Sequence, residues 1–224
     1  MSEQELKEQM CDVCHSMWQQ GWVAANDGNV SALLDDGRVL CTPSGVSKRE
    51  IKEDMLLIVD REGQVLEGSG KVSTELPMHL RCYAERPDVR AVVHAHPPMS
   101  TTFAVADKPL DDYAMIESIC VLGSVPVAPY STPGTDEVAE SIAPYLKDHD
   151  AILLRAHGSL TVGCNLRTAY YRMETLEHIA KITLFSKLLG GAKDLPRDEI
   201  DRLIERRTSF YKMTGAHPGY KKLT

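Results

Sequence analysis

Apolar positions along the chain follow two periods. Leu6, Met10, Val13, Cys14 and Met17 recur at steps of three and four, which predicts an amphipathic helix from about Glu3 to Gln20. The period then shortens. Asn29–Leu34 and Arg38–Cys41 flank Asp35-Asp36-Gly37 and read as two strands joined by a turn, and Met55–Asp60 and Val65–Glu67 read as strands around Gly63. Helical spacing returns over Glu75–Glu85 and stops before Pro87. Arg90–His94 is an apolar strand that Pro97 and Pro98 bring to a stop. A short helix near Ser100–Ala106 precedes a proline- and glycine-rich stretch from Pro126 to Gly134. Beyond it come a helix at about Thr135–Tyr145 and the strand Ala151–Leu154. Asn165 is placed to cap a long helix that ends near Gly190-Gly191, and Pro196 opens a last, charged helix at about Arg197–Met213.

Early hairpins followed by helix–strand alternation predict a layered α/β protein, a mixed sheet with helices on its faces. No linker, repeat or low-complexity segment interrupts the pattern, so residues 1–224 read as one domain. Composition narrows the class: with 43% hydrophobic residues among 224, the chain has the apolar content of a folded core. No apolar run approaches the ~18–20 residues of a membrane span, and the polar opening helix is unlike a signal peptide. These features lead us to expect a soluble cytoplasmic protein. A net charge of −7 argues against a nucleic-acid partner, which calls for a basic face. Neither G-x-G-x-x-G nor G-x-x-x-x-G-K-[ST] occurs, so dinucleotide and P-loop chemistry have no support.

Six cysteines are scattered through the predicted elements, and Cys11-Asp12-Val13-Cys14-His15 matches the C-x-x-C-H of haem attachment. Helical spacing instead assigns Cys14 to the packed stripe of the first helix, as a small hydrophobe. The six thiols are expected to be reduced.

Histidine carries more chemistry. His94 and His96 alternate on one strand and so face the same way, with Cα atoms roughly 6–7 Å apart, close enough to converge on one ion. His157 closes the apolar run from Ala151 and precedes Gly158, again at a strand end. Three histidines would leave a tetrahedral metal one open position, the catalytic pattern. His79, His149, His178 and His217 have no comparable arrangement and read as ordinary helix or surface residues. Ser73-Thr74-Glu75 reads as a helix start, with Ser73 or Thr74 as cap and Glu75 as a first-turn acid. The same hydroxyls and free N–H groups suit a phosphate. Asp27-Gly28-Asn29-Val30-Ser31 and Thr42-Pro43-Ser44-Gly45 share this small, polar character, which lets a ligand approach the backbone.

Gly28-Asn29-Val30-Ser31, Thr42-Pro43-Ser44-Gly45, Ser73-Thr74-Glu75, His94-Ala95-His96 and His157-Gly158 occur in an order that resembles class II aldolases of the fuculose-phosphate aldolase type. That family also holds phosphopentulose 4-epimerases and adducin-like head domains, and the likeness spans roughly Leu6 to Gly190. It implies a three-layer α/β/α fold with a mixed, largely antiparallel central sheet. By resemblance, His94, His96 and His157 would bind Zn²⁺ or another divalent ion such as Mn²⁺ or Co²⁺. Glu75 would be the acid/base residue, and Gly28, Asn29, Ser44, Gly45, Ser73 and Thr74 would hold the phosphate of a ketose 1-phosphate. Glu75, where the epimerases carry Asp, favours an aldolase that releases dihydroxyacetone phosphate and a short aldehyde, in a homotetramer. The family's catalytic tyrosine position falls on Met115, with Tyr113 nearby and Tyr211 or Tyr220 as C-terminal alternatives. A 4-epimerase, a methylthioribulose-1-phosphate dehydratase and a non-enzymatic adducin-like interaction domain are the competing readings.

Overall fold

The computed structural model describes residues 1–223. Eight strands form one sheet: β1 (Asn29–Leu33), β2 (Val39–Cys41), β3 (Leu57–Val59), β4 (Val65–Glu67), β5 (Ala91–Ala95), β6 (Val127–Ala128), β7 (Ala151–Leu154) and β8 (Gly158–Gly163). Their order is β4-β3-β2-β1-β5-β8-β7-β6, and every neighbouring pair is antiparallel except β6 with β7. The sheet is therefore mixed and largely antiparallel.

Helices cover both faces. α1 (Glu3–Gln19), α3 (Pro98–Val105) and α5 (Leu166–Leu188) pack on one side against Val30, Ala32, Ala91, Val93 and Leu153. α2 (Leu76–Glu85) and α4 (Glu137–Leu146) pack on the other against Leu33, Val92, Ile152 and Leu160. Burial on both faces explains why the central strands read as unbroken apolar runs, not as an alternation. Cys14 is fully buried in the α1 stripe, as its spacing predicts, and no disulfide joins any cysteine among the described residues. No helix among them is long and apolar enough to cross a membrane.

Several elements differ from the sequence pattern. β8 begins at the glycine that the sequence marks as a turn, and its polar residues disguise it. Ser159 donates to Ser100 Oγ at 3.0 Å and Thr161 to the Ala169 carbonyl at 2.8 Å, so hydroxyls sit buried on the α5 side without loss. A π-helical turn at Ser118–Leu122 and the two-residue β6 have no sequence signature. α6 (Arg197–Ser209) ends four residues before Met213, because Lys212 takes a left-handed φ of 55° and Arg207 gathers the carbonyls of Thr214, Gly215 and Ala216.

This C-terminal loop is tied to the sheet by Asp150, at the start of β7. Its carboxylate accepts from Arg86 at 2.9 Å and the Ala216 amide at 3.2 Å, and meets Arg172 at 2.7 Å, all away from solvent. Removing it leaves the buried Arg172 guanidinium without a carboxylate, while Arg86 keeps Asp88. Asp150→Ala is therefore expected to lower stability by about 3–5 kcal/mol in urea unfolding.

Candidate metal and substrate site

The site forms where β1, β5 and β8 end together. Asn29 lies directly opposite His94 in the β1–β5 ladder, and Ala95 lies opposite Ser159 in the β5–β8 ladder. The two-residue period turns His94 and His96 to one face, and their ring centroids are 5.0 Å apart. His157 enters from the β7–β8 turn, which is kept tight by a left-handed Ala156 at φ 56°, and its ring lies 4.7 Å from His94 and 4.9 Å from His96. One nitrogen of each imidazole falls within 4.8 Å of the others, the one such group of His, Cys, Asp or Glu among the described residues.

The donor chemistry fits a divalent ion. His94 Nδ1 is 3.0 Å from the Ser159 carbonyl; the carbonyl can only accept, so the proton belongs on Nδ1 and the lone pair on Nε2. That Nε2 stands 3.2 Å from His96 Nε2 and 3.4 Å from Glu75 Oε2. Glu75 Oε1 is buried 3.1 Å from His157 Nε2 yet makes no hydrogen bond. Imidazole nitrogens and carboxylate oxygens converging within 3.1–3.4 Å suit a cation.

Protonation favours the same occupant. Burial pulls His94 down to about 3, against the pull of Glu75, and burial also lowers His157. Both rings are thus neutral at neutral pH, the form in which an imidazole can hold a metal. Burial resists charge on Glu75, but the pull of His94 and His157 when they carry a proton, together with the Asn29 hydrogen bond, outweighs it and holds the carboxyl below its ordinary range.

Glu75 is positioned by β1. Asn29 Nδ2 donates to Glu75 Oε2 at 2.7 Å and to Ser73 Oγ at 3.2 Å. The Glu75 residue is itself the helix cap, so the cap falls one position after Thr74 and two after Ser73. Ser73 Oγ also accepts the Glu75 N–H at 3.2 Å, so its own proton is left to donate outward. A turn further along α2, His79 Nδ1 lies 2.7 Å from Ser31 Oγ, which is 2.6 Å from the Tyr83 hydroxyl. His79 is thus a buried residue and not a surface one; burial lowers it to about 4. His149 is likewise buried, and His217 is half-buried against the Ile119 carbonyl.

A cleft of about 220 Å³ opens in front of these groups. Gly28, Asn29, Ser44, Gly45, Ser73, Thr74, Glu75, His96 and His157 line it, so the predicted residues come together there. His94 lies beneath, fully buried. No sequence motif marks Asn26 and Pro133 on the wall; Asp27, which the sequence marks only as part of the Asp27–Ser31 loop, has its Oδ2 3.5 Å from His96 Nδ1 and orients that ring. The tyrosines are elsewhere. Tyr113 is buried with its hydroxyl held by the Gly219 and Lys221 backbone and its ring stacked on Tyr220, while Tyr211 is half-exposed beyond α6. Cys11 and Cys14 have thiols pushed up by burial to about 11 and about 12, and His15 bonds the Ile51 carbonyl, so C-x-x-C-H is helix packing.

Comparison with known proteins places this arrangement. The family model described as Class II Aldolase and Adducin N-terminal domain matches residues 8–184. A 3-oxo-tetronate 4-phosphate decarboxylase of Escherichia coli O6:H1 is 34% identical over 188 residues, covering 80% of this chain and 86% of the relative. An L-fuculose phosphate aldolase of Methanococcus vannielii is 36% identical over 178 residues, covering 80% and 94%. A solved structure of an L-fuculose 1-phosphate aldolase superposes with a TM-score of 0.85 at 32% identity, covering 92% of this chain and 97% of that one.

Gly158 limits how the histidine cluster can be built. A Cβ there would lie 2.4 Å from His96 Cδ2 and 2.6 Å from the Ala95 carbonyl. Gly158→Ala is expected to displace His96 and weaken Zn²⁺ binding at least about tenfold in a metal titration, while the protein stays folded. Burial also fixes a pH dependence. His94 and His79 are lowered in the folded state, so below about 6.5 the unfolded chain binds more protons and gains. The urea midpoint of the metal-free protein is expected to fall between pH 7 and pH 5.

Proposed function

The chain belongs to the class II aldolase and adducin family, and on that premise we propose that it cleaves a ketose 1-phosphate to dihydroxyacetone phosphate and a short aldehyde. L-fuculose 1-phosphate and related deoxy-ketose 1-phosphates are the proposed substrates. That the chain is a lyase of this family follows from its aldolase-named relatives. The observation that carries the finer reading is Glu75, a carboxylate 3.1–3.4 Å from two neutral imidazoles and held by Asn29 at the mouth of the cleft.

His94, His96 and His157 would hold the divalent ion, proposed as Zn²⁺, with Mn²⁺ or Co²⁺ as alternatives. When bound, such an ion supplies Lewis-acid stabilisation of the negative charge that develops on the substrate oxygens. Ser44, Gly45, Ser73 and Thr74 would hold the phosphate by hydroxyl and backbone donors, with Gly28 and Asn29 beside them, fixing the reacting carbons. As the C3–C4 bond breaks, its electron pair passes to C3, and Glu75, a carboxylate at neutral pH, takes up a proton from water in the cleft and delivers it there. In the synthetic direction the same carboxylate removes it.

A retro-aldol step must also take the proton of the C4 hydroxyl. Among the described residues no tyrosine lines the cleft, so the first reading places that base on a neighbouring copy in a homotetramer. Apolar side chains exposed on α5, among them Ile182 and Phe185, support an oligomer. The same observation favours a second reading. A 3-oxo acid loses its carboxylate as carbon dioxide, with no hydroxyl proton to remove. Loss of the carboxyl carbon from 3-oxo-tetronate 4-phosphate, the compound in the name of several relatives, also leaves dihydroxyacetone phosphate. The six unpaired cysteines are in keeping with a cytoplasmic enzyme.

Incubation of the metal-loaded protein with a panel of ketose 1-phosphates and 3-oxo-tetronate 4-phosphate tests both. Dihydroxyacetone phosphate with an equivalent of aldehyde supports the first, and with carbon dioxide the second; formation from neither overturns both. Glu75→Gln is expected to lower kcat by about 10²–10⁴ while the ion is retained. A near-normal rate in that variant removes Glu75 from the mechanism. His96→Ala is expected to lose the ion, as read by elemental analysis.

A further inference from the structure

Lys48 is the one lysine buried from solvent among the described residues, at 1% exposure. Its ammonium donates to the Val46 carbonyl at 2.9 Å and reaches the Asn26 carbonyl at 3.4 Å. These carbonyls belong to two different loops. Asn26 precedes β1 beside Asp27 and Gly28, and Val46 follows Ser44 and Gly45 after β2. Both loops form walls of the cleft, and among the described residues the walls carry no lysine or arginine. A phosphate bound there would bring close to two negative charges with no cationic side chain in contact.

We propose that Lys48 is a positioning residue for the substrate phosphate: one buried ammonium ties the two loops at a fixed spacing and sets a positive charge behind them. The inference rests on the phosphate site proposed above. A tie between two carbonyls needs only a neutral donor, and a buried charge without a carboxylate in contact is unfavourable. Its presence calls for a role for the charge itself. Behind loops that shield it from water, the ammonium acts on an anion through a medium of low dielectric, so contact is not needed. The loops also need bracing. Gly28 sits at φ +72°, packed so closely that a Cβ would meet Val23 at 2.7 Å and the His94 carbonyl at 3.0 Å, so movement of this loop would reach the β5 ligand.

Calorimetric titration of wild type and Lys48→Met with inorganic phosphate and with dihydroxyacetone phosphate, joined to steady-state kinetics and metal analysis, tests the proposal. Methionine is close to isosteric and removes both the charge and the donor. The expected result is Kd and KM raised about tenfold or more, kcat within about twofold, and a full complement of metal. Unchanged phosphate affinity overturns the role of Lys48. So does a fall of kcat and metal content together with affinity, which marks a general distortion of the site. Should Lys48→Met not fold, Lys48→Gln keeps a donor without the charge and is judged by the same outcomes. A wild-type protein that binds neither phosphate compound overturns the phosphate site itself, and this inference with it.

Discussion

The pairing of β5 with β1 on one side and β8 on the other is the constraint from which the rest of the structure follows. It sets Asn29 opposite His94 and Ser159 beside the same imidazole, so the groups that orient a ligand histidine come from its two flanking strands. A slip of one residue in either ladder would turn His94 toward α5 and bury it in the wrong layer. The apolar positions of the same strands prevent that slip. Val92 must face α2 and α4, and Val93 must face α1 and α5, so core packing holds the register that the chemistry uses.

A second line of polar contacts runs beneath the site between α2 and β1. Glu75 meets Asn29 and, four residues on, His79 meets Ser31, while Asn29 and Ser31 are two apart on the strand. One helical turn rises about 5.4 Å and two strand residues about 6.6 Å, so the two spacings nearly match along the seam. Tyr83 closes it through Ser31. A carboxylate carried on a helix is thereby fixed to the sheet that carries the histidines. Glu75 and the three histidines keep their relative positions without being neighbours in sequence.

Much of this is legible in the order of amino acids alone. The 3.6-residue stripe of α1, the hairpin at Asp35-Asp36-Gly37 and the side-sharing of His94 and His96 all follow from local periodicity. What stays hidden depends on distant partners. The polar residues of β8 make sense only beside Ser100 and Ala169, and β6 exists only as an addition to β7. C-x-x-C-H resembles chemistry because a motif carries no burial. Tyr113 lies near the expected position in sequence, yet its hydroxyl is spent on the backbone of Gly219 and Lys221, a contact across more than a hundred residues. Lys48 offers no motif at all, since a lysine between turns reads as solvated surface until its burial is seen.

The central place of β5 also bears on the order in which the molecule is made. Its partners lie far away in the chain, β1 before it across two hairpins and α2, and β8 beyond it across α3, β6, α4 and β7. Contacts of such sequence separation close late and slowly. His157 arrives with β8, so a folding chain cannot gather its three imidazoles until the middle of the sheet is complete. If these imidazoles hold an ion as proposed, newly made protein would gain that affinity as a last event, and the ion would favour the complete fold over every partly folded form.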